Sequence, residues 1–503
     1  MKKIFTLFVA AVAAVTMSAQ SPVGGSCGAN SKWYFDPSRG LLSISGAGAM
    51  DDYSSGAAPW YKYNQEITRL AILDGVPYIG DYAFWNLLNV TDVTIPGSVK
   101  NIGDYAFASC GGLRTLRLEN GVQYIGKGAF GLCLALETVM IPNTVTTIDE
   151  LAFGLCGSLK IVSIPASVTT LGKQALAFCP SLQWIINAAG IPQTPPEGLF
   201  DNVDKTKCRL SVLASAEQAF RATAEWKEFN IEPVQATAMG LCGENLLWTY
   251  DAGTNAMEIS GTGRIYDFFE EWDEFKKDIE TLELQEGVST IGRDAFRNCF
   301  SLTSVVLPAS LDSVDKYPFS SCNQLTSIEV AEGNYCYSSV DGVLFNKTKT
   351  YLIKYPAAKP EEEYRIPNTV TDVQPYAFCD CRRLNKLTIP SSVVTIDQLA
   401  FGYCSSLHEI YNYAAPILIE ASVFRGVDQP NCILYVPQQY YQQYKTAEVW
   451  KNFDVQVTDR GEGIETPSGS PRTSQKLLRN GMLLIERNGK TYNAQGMEVP
   501  EAR

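Results

Sequence analysis

The residues best equipped for chemistry are few and oddly placed. The 503-residue chain holds one histidine, His408, and fourteen cysteines. A Ser–His–Asp or Cys–His nucleophile needs an imidazole with an orienting partner. His408 stands in the polar stretch "SSLHEI", and nothing in the sequence marks a partner for it. The count also excludes a histidine-rich metal centre. "CDC", with Cys379 and Cys381, is the one local thiol pair that suggests a metal, but no second pair completes a zinc set. Eight cysteines, Cys110, Cys133, Cys156, Cys179, Cys299, Cys322, Cys381 and Cys404, each fall eight residues after the start of a recurring hexapeptide, and Leu87 fills that slot in a ninth copy. A slot shared by Cys and Leu is apolar, so buried structural thiols are expected there, not bridges or metal ligands. "GAGAM" and "GTGRI" lie inside duplicated hairpins, so neither is the phosphate loop that must follow a strand. With 54 acidic residues, a hydrolase using two carboxylates is the least favoured of three readings, because most acids sit at variable repeat positions. No catalytic residue, metal or cofactor is assigned, and the chain is read as a non-enzyme.

The elements that carry these residues are copies of one unit. "IGDYAF" begins at Ile79 and again at Ile102, 23 residues later. Variants begin at Ile125, Ile148 and Leu171 at the same interval, then at Ile291, Val314, Val373 and Ile396. A fixed period of this length marks a solenoid, in which each coil is too thin to bury its own apolar face and stacks on its neighbours. After the Cys comes Leu-x-x-apolar-x-apolar-Pro, as in "LETVMIP". Alternation with a period of two reads as a short strand that the proline ends. The expected fold is a mainly β solenoid of 23-residue coils, with short strands plus turns or short helices.

The solenoid is duplicated. "CGANSKWYFD" from residue 27 matches "CGENLLWTYD" from residue 242, and "CRLSVLASAEQAFRATAEWKEF" from residue 208 matches "CILYVPQQYYQQYKTAEVWKNF" from residue 432. The first pair reads as β-hairpins and the second as strand-plus-helix units. Both suit the ends of a solenoid, where exposed edges must be covered. Module 1 is placed at residues 21–235, with a hairpin cap at 24–66, coils at 67–200 and a terminal cap at 205–235. Module 2 is placed at 236–457, with a hairpin cap at 239–275, coils at 279–425 and a terminal cap at 430–457. An inserted hairpin at 335–357 is expected to project from the stack and to offer a binding surface. Whether the modules continue as one rod or bend at 233–240 is left open.

The net charge is −13 and the pI is near 4.8, which disfavours nucleic acid and anionic membranes as partners. Residues 1–19, with two lysines and an apolar run ending in small residues, read as a signal peptide cleaved after Ala19. No other stretch has the length of a membrane-spanning helix. Cys27 is read as structural, not lipidated, because its duplicate Cys242 lies mid-chain. Residues 458–475 read as a linker rich in Gly, Ser, Pro and Thr. Residues 476–503 read as a small β unit of three strands.

With the repeat IGxxAFxxC-x-x-L-x-x-V-x-IP in nine copies, residues 24–457 resemble the BspA-like leucine-rich repeat family, the type associated with bacterial surface antigens. The leading "CGxNxxWxYD" segment and "VDGVLFNK…LIKYP" are similar to pieces that travel with it. The C-terminal unit resembles sorting tails of exported proteins from Bacteroidetes-type bacteria. What the family implies is a secreted or surface-displayed protein that binds host matrix proteins or other cells.

If the shared Ile, Ala and Phe are core, function falls to the positions that vary. Strand side chains between the core positions are expected to point outward in rows. The candidate ligand-binding residues are Arg117, Met140, Trp184, Ile186, Val306, Lys386, Glu409, Tyr411 and Tyr413. Large aromatics serve as interface anchors, although Trp184 and Tyr411 would equally suit packing beneath neighbouring connections. A second reading, a carbohydrate-binding accessory of a surface uptake system, would use Tyr53, Trp60, Tyr61, Tyr63, Phe268, Phe269 and Trp272 as a stacking platform, with packing inside the caps as the bland alternative.

Overall fold

The computed structural model describes residues 22–459, with the backbone of three further strands, Gln475–Arg479, Met482–Arg487 and Lys490–Asn493. The expected signal peptide and most of the expected linker lie outside the described residues. The three distal strands pair antiparallel in order and form a unit of their own.

Residues 22–456 form the expected β-solenoid. Each coil lays one strand into each of two parallel ladders. In module 1 the longer strands, from Asp92–Ile95 through Trp184–Asn187 to Asn230–Val234, make a seven-stranded sheet. Two-residue strands make the second ladder, with Ile79, Ile102, Ile125, Ile148 and Leu171 in register. Among the described residues, ordinary helix is confined to the ends of the modules, at Glu217–Ala222 and Tyr441–Thr446.

The repeated word is spent on the core. Phe84, Phe107, Phe130 and Phe153 are buried and stack coil on coil with ring centroids 5.0, 5.2 and 5.4 Å apart. Trp60 of the first hairpin cap begins this column at 5.7 Å from Phe84, and its indole N–H donates to the Ala83 carbonyl at 2.8 Å. Trp272 repeats the arrangement on Phe296 and Ala295. At the far ends, the Trp226 and Trp450 indoles donate to the carbonyls of Gln193 and Ile417 at 3.0 and 2.9 Å.

The cysteine slot is more specific than an apolar one. Cys110, Cys133, Cys156 and Cys179 point their thiols at the carbonyls of Phe84, Phe107, Phe130 and Phe153 in the preceding coil, 3.2–3.4 Å away. Leucine would fill the volume but offer no donor, and a thiol supplies a weak one at no cost in size. All fourteen cysteines are free thiols, twelve of them buried.

The insert does not project. Val343, Leu344 and Phe345 are fully buried, and Tyr351–Lys354 pairs in parallel with Asp372–Val373. The gap from Val314 to Val373 conceals a coil. Tyr355 stacks on Phe378, 23 positions later, at 4.9 Å, and Tyr364 pairs with Leu387 at the same interval. This coil has lost the Ile-Gly start and the Cys. It is also short, because Leu352 lies beside Val373, only 21 positions on.

Candidate functional site

The chemistry-bearing residues stay apart. His408 is exposed, its imidazole contacting only the backbone carbonyl of Ser406. Cys381 points its thiol at the Tyr355 carbonyl at 3.9 Å, whereas Cys379 lies 3.6 Å from Asp380 Oδ2. Among the described residues no group of three or more His, Cys, Asp or Glu is placed to hold a metal ion.

The outward strand rows split into a covered half and an open half. In module 1 the sheet is not free. The strand Ala238–Gly243, first of the second hairpin cap, packs across Ile161–Ile164 and Trp184–Asn187. Met239 and Leu241 join the module 1 core, and Met140 packs against the cores of both modules. Polar contacts fix the docking. Arg117 donates to the Asp267 carbonyl at 3.1 Å, and Thr138 Oγ1 to the Glu244 carbonyl at 3.2 Å. The Asn143 backbone N–H meets Glu271 Oε2 at 3.1 Å, while its side-chain amide donates to the Glu271 carbonyl at 2.8 Å. The chain therefore turns back after module 1.

Burial overturns the outward placement of three candidates. Ile186 has 0% exposure and Trp184 has 7%. Trp184 lies beneath the Arg209 guanidinium, 3.8 Å from its ring, and donates to Ser211 Oγ at 2.9 Å. Tyr411 also has 7% exposure, stacked on Tyr435 at 4.6 Å with the Lys386 ammonium 5.4 Å above its ring. These large side chains satisfy contacts inside the chain. Arg117, Met140 and Tyr413 are half-buried. In module 2, Val306 remains exposed between Glu283 and Glu329 of the adjoining strands. Lys386 and Glu409 are partly exposed and adjacent in register.

The aromatics of the hairpin caps are core. Trp60, Phe269 and Trp272 are buried, Tyr63 stacks on Phe35, and Tyr61 stacks on Trp85. Phe268 alone of this set is exposed, with the Arg293 guanidinium 5.8 Å from its ring. The caps present no pair of coplanar open rings.

A surface that strand-based reasoning missed lies on the turns. Each coil that carries the hexapeptide has two residues in the left-handed region, one of them just before the Cys slot. That position holds Asn86, Ser109, Asn298, Ser321 and Asp380 in some coils and Tyr403 in another, but Leu132, Leu155 and Phe178 in three successive ones, with φ of 62°, 63° and 57°. Asn and Asp tolerate this conformation, whereas Leu and Phe are strained in it. Leu132 and Leu155 are exposed, as is Leu134 beside them. They form an apolar ridge that the backbone would have made more cheaply from asparagine.

Electrostatics at the docking contact centre on Glu271. Removal from water raises its carboxyl from 4.5 to about 7, and Glu270 and Asp273 push the same way against Asn143 N–H and Arg117.

The family profile described as "BspA type Leucine rich repeat region (6 copies)" matches residues 60–187, 273–358 and 359–433, more than half of the chain. The chain belongs to the BspA-type leucine-rich repeat family. Among solved structures, the chain is similar to a leucine-rich repeat protein from Bacteroides ovatus, with 18% identity, coverage of 85% of this chain and 98% of that one, and a TM-score of 0.27. It is similar to a leucine rich cell surface protein from Faecalibacterium prausnitzii, with 20% identity, coverage of 78% and 95%, and a TM-score of 0.25. It is also similar to the pneumococcal vaccine antigen PcpA, with 17% identity, coverage of 84% and 82%, and a TM-score of 0.24. No curated protein matches the chain. Among the described residues no helix is long and apolar enough to cross a membrane.

Proposed function

We propose that this BspA-type protein is exported to the bacterial surface or beyond and binds other proteins there without catalysis. The exposed ridge of Leu132, Leu134 and Leu155 carries this reading. Large apolar side chains in open water give the fold little, and two of these three also strain the backbone. Strain kept at the surface points to use. Val306, Lys386 and Glu409 on the open rows of module 2 are secondary contacts. In this reading residues 1–19 direct export, residues 476–503 act in sorting, and the two modules at 21–235 and 236–457 work as one docked body. Host matrix and cell-surface proteins are the partner class.

The test is a binding screen of the mature chain against matrix proteins, run beside Leu132→Asn/Leu155→Asn. Binding that falls at least about tenfold in the double variant, roughly 1.4 kcal/mol, supports the ridge as the contact. Unchanged binding in a folded variant removes the ridge from this role.

A further inference from the structure

The concealed coil leaves a hollow. On this side of the solenoid, Tyr82 and Tyr105 of neighbouring coils stack at the third position after the hexapeptide start, with ring centroids 5.0 Å apart. The short coil of residues 352–366 lays Ile353 and Lys354 along the cleft at this point. Tyr317, from the coil before it, reaches past it to Tyr376, from the coil after it, with rings edge to face at 4.6 Å. Gln398 donates to the Tyr317 hydroxyl at 2.9 Å across the same gap. Beside them opens a cleft of about 820 Å³.

The walls of this cleft carry opposed charges. Asp315, Asp397 and Glu420 line it together with Lys316 and Lys354. Lys354 has 8% exposure, and its ammonium donates to the Tyr376 carbonyl at 3.1 Å. No carboxylate lies within ion-pair distance of it among the described residues. An ammonium has three N–H donors, so Lys354 retains donors beyond that bond, at a lining position. Tyr351, 46% exposed, borders the opening.

We propose that this cleft binds a neutral oligosaccharide. An anionic ligand would face the carboxylates of Asp397 and Glu420, with Asp315 already paired to the Arg264 guanidinium at 3.3 Å, and a cationic ligand would face two ammonium groups. A ligand that both donates and accepts hydrogen bonds in several directions, and offers C–H faces to tyrosine rings, is a polyhydroxylated neutral one. An added peptide strand fits less well. The strand at the cleft edge, Ser313–Val314, has two residues, and the Val314 N–H is already taken by the Tyr337 hydroxyl at 2.8 Å. A volume near 800 Å³ lies within the range of compact ligand sites. The site is separate from the Leu132–Leu155 ridge and stands without it.

The experiment titrates the mature chain by calorimetry with maltohexaose, cellohexaose, xylohexaose and mannohexaose, with a lysine-rich peptide and polygalacturonate as charged probes. At least one neutral hexasaccharide is expected to bind. Tyr351→Ala and Gln398→Ala, both at exposed positions, should each weaken it by about tenfold, whereas Tyr61→Ala at the first cap should not change it. Thermal unfolding of each variant checks that the fold is intact. The proposal is overturned if none of the four hexasaccharides binds, if binding survives both cleft substitutions, or if only a charged probe binds.

Discussion

The Arg117 guanidinium donates to the backbone carbonyl of Asp267 at 3.1 Å, across 150 residues of sequence. Arg117 belongs to the second coil strand of module 1 and Asp267 to the hairpin cap of module 2. The bond belongs to the contact that turns a cap, whose duplicate begins module 1, into a lid on the neighbouring sheet. The proposed binding by module 1 therefore places its contact on the turns, away from the docked strand.

Glu271 makes this docking sensitive to pH. Its carboxyl titrates near 7 when docked and near 4.5 when free in water. Between those values the docked state holds a proton that the open state has released. Docking is thus favoured at low pH, weakens as pH rises through 7, and then levels off. Wild-type thermal stability is expected to fall more between pH 5 and pH 8 than that of Glu271→Gln. Equal slopes would show that Glu271 is already solvated.

The ridge should cost stability. Leu132→Asn and Leu155→Asn replace strained left-handed leucines with a residue that tolerates the conformation. Each is expected to raise unfolding stability by on the order of 0.5–1 kcal/mol, read by denaturant titration. A loss of stability would mean that the leucines serve the fold.

The thiol ladder should be inert. Burial pushes Cys110 up to about 12 and Cys179 up to about 11, far from the pH at which thiolates react. Native protein at pH 8 is expected to leave its twelve buried thiols unmodified by iodoacetamide, while Cys336 and Cys379, half-buried, react slowly. Unfolding in guanidinium should release all fourteen, counted by mass spectrometry. Rapid labelling of the ladder in the native state would contradict the stacking.

The fold was legible in the sequence because one slot repeats one duty: from Phe84 to Phe153 each Phe of the hexapeptide stacks on the Phe of the next coil. The concealed coil was not legible, because only Tyr355 and the Tyr364–Ile366 stretch kept the 23-residue spacing to their counterparts. Docking left a sign that strand-row reasoning passed over. "WIIN" at Trp184–Asn187 and the "MGLC" within Ala238–Gly243 lack the polar alternation of a half-exposed strand, and all their residues are buried. The ridge was hidden for another reason. Leu132 and Leu155 stand out only once the backbone at that slot is known to be left-handed, a property that Asn86 and Asn298 at the same position hinted at.

Docking of the second cap is the claim on which the rest turns, and two matched positions test it. Ile186 and Val306 are both the third residue of a coil strand, one buried and one 41% exposed. Maleimide labelling of Ile186→Cys and Val306→Cys, against the wild-type background, compares them directly. Val306→Cys should label at the rate of an open thiol and Ile186→Cys at least about a hundredfold more slowly, with Leu241→Asp restoring its reactivity by lifting the cap. Equal labelling of the two cysteines in otherwise unaltered chains would contradict the docking.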